Sequence, residues 1–329
     1  MNLNRGRALT AIPGPSVIPD RVLAAMHKAM PNIYEGELIE TGDSVFRDLP
    51  NIAGTRGKVF VPISNGHGAW EMALTNTLCR GDVVLVLGTG RFAPGWGDMA
   101  AKLGCLVETI DFGDRAPADP NQLEDRLRSD SGHRIKAILV VQVDTASSVL
   151  NDIAALRAAI DAAGHPALLM VDCIASLGCV PYKMDAWGVD VTVGGSQKGL
   201  MVPPGLGLVW ASDRALSAHK RADLVTPYWD WTSRMDEDAF YLKFAGTAPI
   251  QHIYAMRTAL DMLLEEGLEN VWARHAVFAD AVRAAVAAWS TENGLSFNIL
   301  DPASRANSTT TVLAGMIDEG RLRNICDRQ

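Results

Sequence analysis

A lysine and an aspartate, each just past a run of apolar residues, are the side chains best placed for chemistry. A β-branched run over 189–193 stops at two glycines, and Lys198 follows two polar residues later. A second apolar run, 167–171, ends directly at Asp172. Such runs predict buried strands, and ligands in open α/β sheets bind beside the carboxyl ends of the strands. We therefore expect Lys198 and Asp172 to face one site.

This pair of residue types meets the needs of one cofactor. A loop lysine that merely ends a strand would need no acidic partner, whereas a partly desolvated lysine amine forms a Schiff base with a carbonyl group. Pyridoxal phosphate requires both groups, the lysine for covalent attachment and a carboxylate that keeps the pyridine nitrogen protonated. The sequence therefore predicts pyridoxal 5′-phosphate as the cofactor, with Lys198 and Asp172 as catalytic residues.

Several separate motifs resemble the class V pyridoxal-phosphate-dependent aminotransferases, most closely the alanine–glyoxylate and serine–glyoxylate aminotransferase group. They read VDCIASLG over 171–178, GGSQKGL over 194–200 and PPGL over 203–206, and they agree with the family in order and spacing. The likeness extends from the Pro-Gly-Pro turn at 13–15 to about Arg321. It implies an α/β protein of fold type I, with a mostly parallel, seven-stranded type of sheet between helices and a smaller α+β domain.

The resemblance also divides the chain. We expect an N-terminal arm over 1–18, a large cofactor-binding domain over 19–266 and a small C-terminal domain over 267–329 that is incomplete. Relatives continue through another strand pair and a closing helix, which carry the arginine that binds the substrate carboxylate. No residue here matches that motif, and the late arginines all precede its place in the order: Arg305, Arg321 and Arg323. Cofactor binding is therefore better supported than turnover.

The resemblance assigns cofactor contacts to several turns. Gly66 and His67 lie in a glycine turn before a helix, where free backbone N–H groups would hold the cofactor phosphate. Phe92 would stack on the pyridine ring, although Trp96 is a rival and Phe92 could be a core residue. Thr145 would contact the ring with its hydroxyl, and the alternative is an ordinary turn hydroxyl.

Further cofactor contacts are implied for Ile174 and Gln197, which flank the two catalytic residues, and for Thr247 of the partner subunit. Thr247 could instead begin a helix as an N-cap. Gly14 is expected in an entry loop beside the substrate, although a simple Pro-Gly turn fits the same residues. Tyr34 is a weaker substrate candidate, for which packing is the alternative. No metal site is expected.

The implied activity is the transfer of an amino group from a small L-amino acid, serine or alanine, to glyoxylate or pyruvate. Three alternatives stay open: a pyridoxamine–pyruvate or ureidoglycine–glyoxylate transaminase, a truncated cofactor-binding relative with little activity, and a cysteine desulfurase. The last would need a reactive cysteine on a late loop, and Cys326 lies in a predicted helix. The family is homodimeric, with its sites at the subunit interface.

Composition narrows the partners further. A net charge of −8 without a basic block argues against a nucleic-acid binder. Five scattered cysteines without a CxxC pair suggest neither a disulfide framework nor a zinc site, which favours the cytoplasm. No apolar run is long enough to span a bilayer, so no membrane is expected. Strands that alternate with helices predict a mostly parallel sheet covered on both faces.

Overall fold

Apolar runs and amphipathic segments alternate along the chain and form strands and helices in that order. The computed structural model describes residues 12–235 and 239–326, so the predicted arm over 1–18 lies largely outside the described residues. The strands are β1 Lys58–Phe60, β2 Ile63–Ser64, β3 Val83–Gly88, β4 Leu106–Asp111, β5 Ile135–Val141, β6 Leu168–Asp172, β7 Val191–Gly195, β8 Gly205–Ala211, β9 Ser296–Phe297 and β10 Val312–Leu313. The α-helices are α1 Asp20–Met26, α2 Glu37–Ala53, α3 Gly66–Thr75, α4 Phe92–Leu103, α5 Pro120–Ser129, α6 Ile153–Ala162, α7 Asp213–His219, α8 Trp231–Arg234, α9 Ile250–Glu266, α10 Leu268–Asn293 and α11 Glu319–Cys326.

Seven strands follow one another across the main sheet in the order β1-β8-β7-β6-β5-β3-β4, and β2 pairs with β8. The five strands from β7 to β4 are parallel. β8 runs antiparallel to β7, and β1 and β2 run antiparallel to β8. This arrangement confirms the predicted α/β class and the mostly parallel sheet.

The sheet is buried on both faces. Successive strand side chains point to opposite faces, so β3 divides its residues between two apolar clusters, with Val83 and Leu85 in one and Val84 and Val86 in the other. Helices α2, α5, α6 and α9 contribute to the first cluster, and α3, α4 and α7 to the second. Continuous apolar runs are what such doubly covered parallel strands require.

The chain after Gly267 forms a smaller α+β unit. It contains the 26-residue helix α10, the antiparallel pair β9–β10 and α11. A bridge between Val149 and Arg305 joins this unit to the loop after β5. The boundaries predicted at 19–266 and 267–329 stay predictions. Within the described part of the chain, no helix combines the length and apolarity needed to cross a membrane.

Candidate active site

Lys198 lies in the turn between β7 and β8. Ser196 closes this turn, because its hydroxyl donates to the Pro203 carbonyl at 2.7 Å. Lys198 Nζ donates to the Pro13 carbonyl at 2.8 Å, and Ser16 Oγ donates to the Lys198 carbonyl at 2.8 Å. The N-terminal segment is therefore bound to Lys198 twice, through the lysine amine and through the lysine backbone carbonyl.

Gly14 leaves the space that the Lys198 side chain occupies. A Cβ atom on Gly14 would lie 2.6–2.8 Å from Lys198 Cδ, Cε and Nζ, and Gly14 has a φ of +139° that side chains disfavour. The candidate substrate residue Gly14 is thus beside the lysine. Tyr34, the other candidate, is 73% exposed and lines neither cavity that contains Lys198.

Asp172 ends β6, next to β7, and its carboxylate is held by two N–H groups. The Ile174 backbone N–H donates to Oδ1 at 2.6 Å, and Trp70 Nε1 donates to Oδ2 at 2.8 Å. Burial raises the pKa of Asp172 to about 7, against the lowering effects of these two donors and of the Lys198 charge. Burial likewise lowers the pKa of Lys198, while Asp172 opposes that change.

A cavity of about 320 Å³ contains both catalytic candidates. It is lined by eight residues that the sequence assigned to the cofactor, and by Gly14: Gly66, His67, Phe92, Thr145, Asp172, Ile174, Gln197 and Lys198. Thr247 is exposed and is not part of this lining. The structure therefore brings together every predicted cofactor residue that was expected from the chain's own subunit.

Larger cavities lie at the opposite edge of the sheet. One of about 780 Å³ is lined by the first residues of β5 and β6, Ile135 and Leu168, and one of about 610 Å³ by Asp190, just before β7. Ligands in open α/β sheets bind at the carboxyl ends of the strands instead. We therefore take the Lys198 cavity as the functional one despite its smaller size.

The glycine turn before α3 differs from the expectation of free N–H groups. Asn65 is the N-cap of α3, and its side-chain oxygen accepts from the N–H groups of His67 at 3.0 Å and Gly68 at 3.4 Å. Two of the donors expected to be free are therefore capped. Gly66 is needed here because a Cβ atom would collide with the Ile174 side chain. An anion at this turn would compete with the Asn65 oxygen for these two N–H groups.

Asp144 connects the two loops that carry Phe92 and Thr145. Its Oδ2 accepts from the Phe92 N–H at 2.8 Å, and its Oδ1 accepts from the N–H groups of Ala146 and Ser147. Gly90, with a φ of +149°, leaves room for this carboxylate. Phe92 is thereby fixed on the cavity wall, whereas its rival Trp96 is fully buried behind it.

Lys198 also lines a second cavity, of about 210 Å³, with residues from both ends of the chain. Pro13 comes from the N-terminal segment, Arg274 from α10 and Ser308 from the loop before β10. The three late arginines are elsewhere. Arg305 packs on Phe297 and donates to the Ile299 and Leu300 carbonyls, and the other two lie exposed on α11: Arg321 and Arg323.

Trp70, Asn65 and Asp144 were not among the predicted site residues. Trp70 has one signal in the sequence, since a buried indole usually needs a hydrogen-bond acceptor. Its acceptor is 102 positions away along the chain. Among the described residues, no group of three or more His, Cys, Asp or Glu side chains is arranged to hold a metal ion.

Comparison with known proteins places the chain in a family. The family model described as aminotransferase class-V matches residues 37–329. The chain is 42% identical to a serine–glyoxylate aminotransferase of Methylorubrum extorquens, over 94% of this chain and 77% of that protein. It is 38% identical to an L-aspartate–glyoxylate aminotransferase of Paracoccus denitrificans, over 92% of this chain and 75% of that protein.

A solved structure gives the same result. The alanine–glyoxylate aminotransferase from Nostoc sp. superposes with a TM-score of 0.85 at 27% identity, over 100% of this chain and 87% of that one. The matched motifs, the order of the strands and the Lys198–Asp172 cavity agree with this likeness. The chain belongs to the class-V aminotransferase family.

Proposed function

We propose that the protein is a pyridoxal 5′-phosphate-dependent aminotransferase that moves an amino group from a small L-amino acid, serine or alanine, to glyoxylate or pyruvate. The observation that carries the proposal is the meeting of Lys198 and Asp172 in one cavity, at the carboxyl ends of neighbouring parallel strands. The serine–glyoxylate and alanine–glyoxylate activities in the names of the similar proteins support it.

The cavity residues fit this cofactor. Asp172 is a buried carboxylate that suits a protonated ring nitrogen, and Phe92 offers an aromatic face to a flat ring. Gln197 Oε1 is buried and finds no hydrogen-bond partner within 12–235 and 239–326. Gln197 lines the cavity, and the NH₂ group of its amide is a donor that a phosphate oxygen could accept from. Gly66, His67 and Thr145 would complete the set of contacts.

Pyridoxal phosphate, when bound, supplies an electron sink that makes a Cα–H bond of the attached amino acid acidic. Lys198 would hold the cofactor covalently and, once released, move the Cα proton as general base and acid. Its lowered pKa increases the fraction of neutral amine near neutral pH. Asp172 would hold the proton of the ring nitrogen and so keep the ring positively charged.

The site favours a small donor. The second cavity at Lys198 measures about 210 Å³, and Gly14 faces the lysine. The names of the similar proteins give different amino donors: serine for one and L-aspartate for another. Two alternatives are transfer between pyridoxamine and pyruvate and transfer between ureidoglycine and glyoxylate. A third is cofactor binding with little turnover. Measuring activity with each amino donor separates them.

We also propose a homodimer in which Thr247 of one subunit reaches the cofactor phosphate of the other. Thr247 is exposed, and α9 begins after it with Pro249 as the N-cap, which leaves the Thr247 hydroxyl without that capping role. The domain boundaries stay those predicted, with the arm over 1–18, the large domain over 19–266 and the small one over 267–329. We propose the cytoplasm as the compartment, where free thiols are usual, and four of the cysteines are free: Cys79, Cys105, Cys173 and Cys179.

The visible absorption spectrum tests the proposal. Purified protein is mixed with pyridoxal phosphate, and then L-serine, L-alanine or L-aspartate is added. We expect a visible band that one of these donors bleaches, and that glyoxylate restores. Borohydride reduction and mass spectrometry should locate the cofactor on Lys198.

Two variants make this test specific. Lys198→Ala should abolish the band and the mass increase, whereas the exposed Lys183→Ala should leave both unchanged. A band in Lys198→Ala equal to that of the parent protein would disprove the assignment. A band that no donor changes would favour the alternative of cofactor binding with little turnover.

A further inference from the structure

Trp70 is held in one orientation by aromatic neighbours. It lies on α3, is 2% exposed, and lines the Lys198 cavity. Its ring stacks on Trp96 at 5.8 Å with an interplanar angle of 14°, and it meets Phe92 edge-on at 6.3 Å. His67 packs on it at 4.6 Å. These contacts leave the indole N–H a fixed direction, toward Asp172.

The Asp172 carboxylate has few other means of staying charged. It is 2% exposed, and its second oxygen takes only the Ile174 backbone N–H among the described groups. The charges that face it oppose one another, because the Lys198 cation favours the ionised form and the Asp144 carboxylate disfavours it. If Lys198 held the cofactor covalently, its ammonium group would no longer be available to Asp172. The Trp70 N–H then remains as the fixed side-chain donor.

We propose that Trp70 is a positioning residue, whose indole N–H fixes the plane of the Asp172 carboxylate and keeps it ionised for the ligand's ring nitrogen. Its role for the ligand rests on the proposed function. The bond itself belongs to the free protein: a hydrogen bond from a buried donor to a charged acceptor stabilises the charged form more than a neutral pair would. Two N–H bonds, one per oxygen, also prevent rotation of the carboxylate.

Trp96 provides the matched comparison. It stacks on Trp70 and is fully buried, but its own Nε1 has no hydrogen-bond partner in the described part of the chain. Replacing either tryptophan with phenylalanine removes a similar volume from the same aromatic stack. Only Trp70→Phe also removes a donor to Asp172.

The first test follows Asp172 in the cofactor-free protein by infrared spectroscopy. The C=O stretch of a protonated, buried carboxyl group is titrated with pH, and Asp172→Asn assigns the band to this residue rather than to the buried Asp190. The parent protein should titrate at a pKa of about 7. Trp70→Phe should raise that pKa by about one unit, as expected for the loss of a charge-assisted hydrogen bond, and Trp96→Phe should leave it in place.

The second test measures affinity for two ligands, pyridoxal phosphate and its analogue with carbon in place of the ring nitrogen. Trp70→Phe should lower the affinity for pyridoxal phosphate about tenfold and leave the affinity for the analogue unchanged, because only the ring nitrogen of the first needs the Asp172 charge. Equal weakening of both ligands, or an unchanged Asp172 pKa, would overturn the proposal. If the parent protein bound neither ligand, the proposed function would fail, and the infrared titration would still decide whether Trp70 holds Asp172.

Discussion

At the level of single residues, the site depends on missing side chains as well as on those present. Gly14, Gly66 and Gly90 each leave the space that a functional group or its neighbour occupies. Gly14 is the most direct case, since the Lys198 amine lies 2.7 Å from where its Cβ atom would be. Sequence motifs show such glycines but do not show which side chain fills the space.

Gly14→Ala should therefore impair the lysine more than the fold. The new methyl group would displace Lys198 Cδ, Cε and Nζ, and the Lys198–Pro13 hydrogen bond would break. We expect covalent attachment of pyridoxal phosphate to slow by about tenfold or more, since sub-ångström misplacement of a reacting group is costly. Stopped-flow absorption measures this rate.

The control is Gly113→Ala. Gly113 also has a left-handed φ, +74°, but its Cβ atom would meet nothing within 4 Å. Alanine at the φ of Gly113 costs about 1 kcal/mol and alanine at the φ of Gly14 costs up to about 3 kcal/mol, so the stability of each variant is measured beside its attachment rate. Equal attachment rates in the two variants would mean that Gly14 is needed only for its backbone conformation and not for the space that it leaves to Lys198.

Asp172 predicts a pH dependence of stability in the cofactor-free protein. Burial raises its pKa to about 7, whereas an unfolded chain would release this proton near pH 4 (about 3.9). Between these values the folded state binds the proton and the unfolded state does not, so raising the pH destabilises the protein by up to about 1.4 kcal/mol per pH unit. Asp172→Asn should remove this contribution.

Urea unfolding at about pH 5, 6 and 7 measures the effect. As the pH rises through this window, the free energy of unfolding of Asp172→Asn should increase relative to that of the parent protein. The remaining carboxyl groups are common to both proteins, so their contributions cancel in the difference. Parallel pH curves would show that Asp172 is already ionised in the folded state at the lower pH.

At the level of elements, the N-terminus of α3 combines a structural cap with the expected phosphate site. The Asn65 oxygen now takes the N–H groups that an anion would use. Asn65→Asp should preserve the cap, since both residues are good N-caps and a negative charge suits this helix end. The same charge would repel a phosphate.

We expect Asn65→Asp to lower the affinity for pyridoxal phosphate by about tenfold or more, through like-charge repulsion at hydrogen-bond range. Its affinity for pyridoxal, which has no phosphate, should equal that of the parent protein, and the melting temperature should hardly change. Equilibrium titration with both compounds separates the effects. An equal loss for both would place the phosphate away from α3.

The strands and most helices follow from the sequence because their signals are local. The continuous apolar runs at 167–171 and 189–193 predict β6 and β7 to within about two residues. Helix α2 was not predicted, although its buried residues recur at helical spacing: Leu38, Val45, Leu49 and Ile52. Helix α4 can begin directly at Phe92, because Pro94 is tolerated in a first turn and Asp144 accepts the Phe92 N–H.

The site itself divides in the same way. Asp172 ends β6 and Lys198 follows the end of β7, so the parallel pairing of these strands brings both to one edge of the sheet. Asn is a common N-cap residue, so the sequence could have indicated the cap at Asn65. The expectation of free N–H groups was wrong for His67 and Gly68, which donate to it. Trp70 could not be assigned a partner, since its bond to Asp172 depends on how α3 packs on the sheet, against β7 and β8.

At the level of the whole molecule, the site uses distant parts of the chain. The N-terminal segment, the turn before β8, α10 and the loop before β10 all contribute to the second cavity at Lys198. Thr247 stands apart from this assembly, exposed and outside both cavities of its own chain. A role for Thr247 at the cofactor phosphate therefore requires a second subunit.

Mixed dimers test this role. One chain carries Lys198→Ala and the other Thr247→Ala, and both are made together. In a two-fold dimer with sites at the interface, one site of each mixed dimer then has an intact Lys198 and receives an intact Thr247 from its partner. We expect Thr247→Ala alone to lower the affinity for pyridoxal phosphate and to leave the affinity for pyridoxal unchanged, because only the first compound has a phosphate to lose a contact.

Attachment of the cofactor at low pyridoxal phosphate is the readout. Lys198→Ala dimers attach none, and Thr247→Ala dimers attach little, so the two proteins mixed without exchange set the baseline. Coexpressed chains should exceed that baseline, because the site with Lys198 regains its phosphate contact across the interface. If Thr247 acted within its own chain, every Lys198 would still face a missing hydroxyl and coexpression would give no gain. The reciprocal arrangement completes the argument: in purified mixed dimers, both substitutions are placed on one chain opposite an unsubstituted chain. The intact Lys198 then meets the missing hydroxyl of its partner, so attachment should fall to the Thr247→Ala level, whereas a contact within one chain would give full attachment.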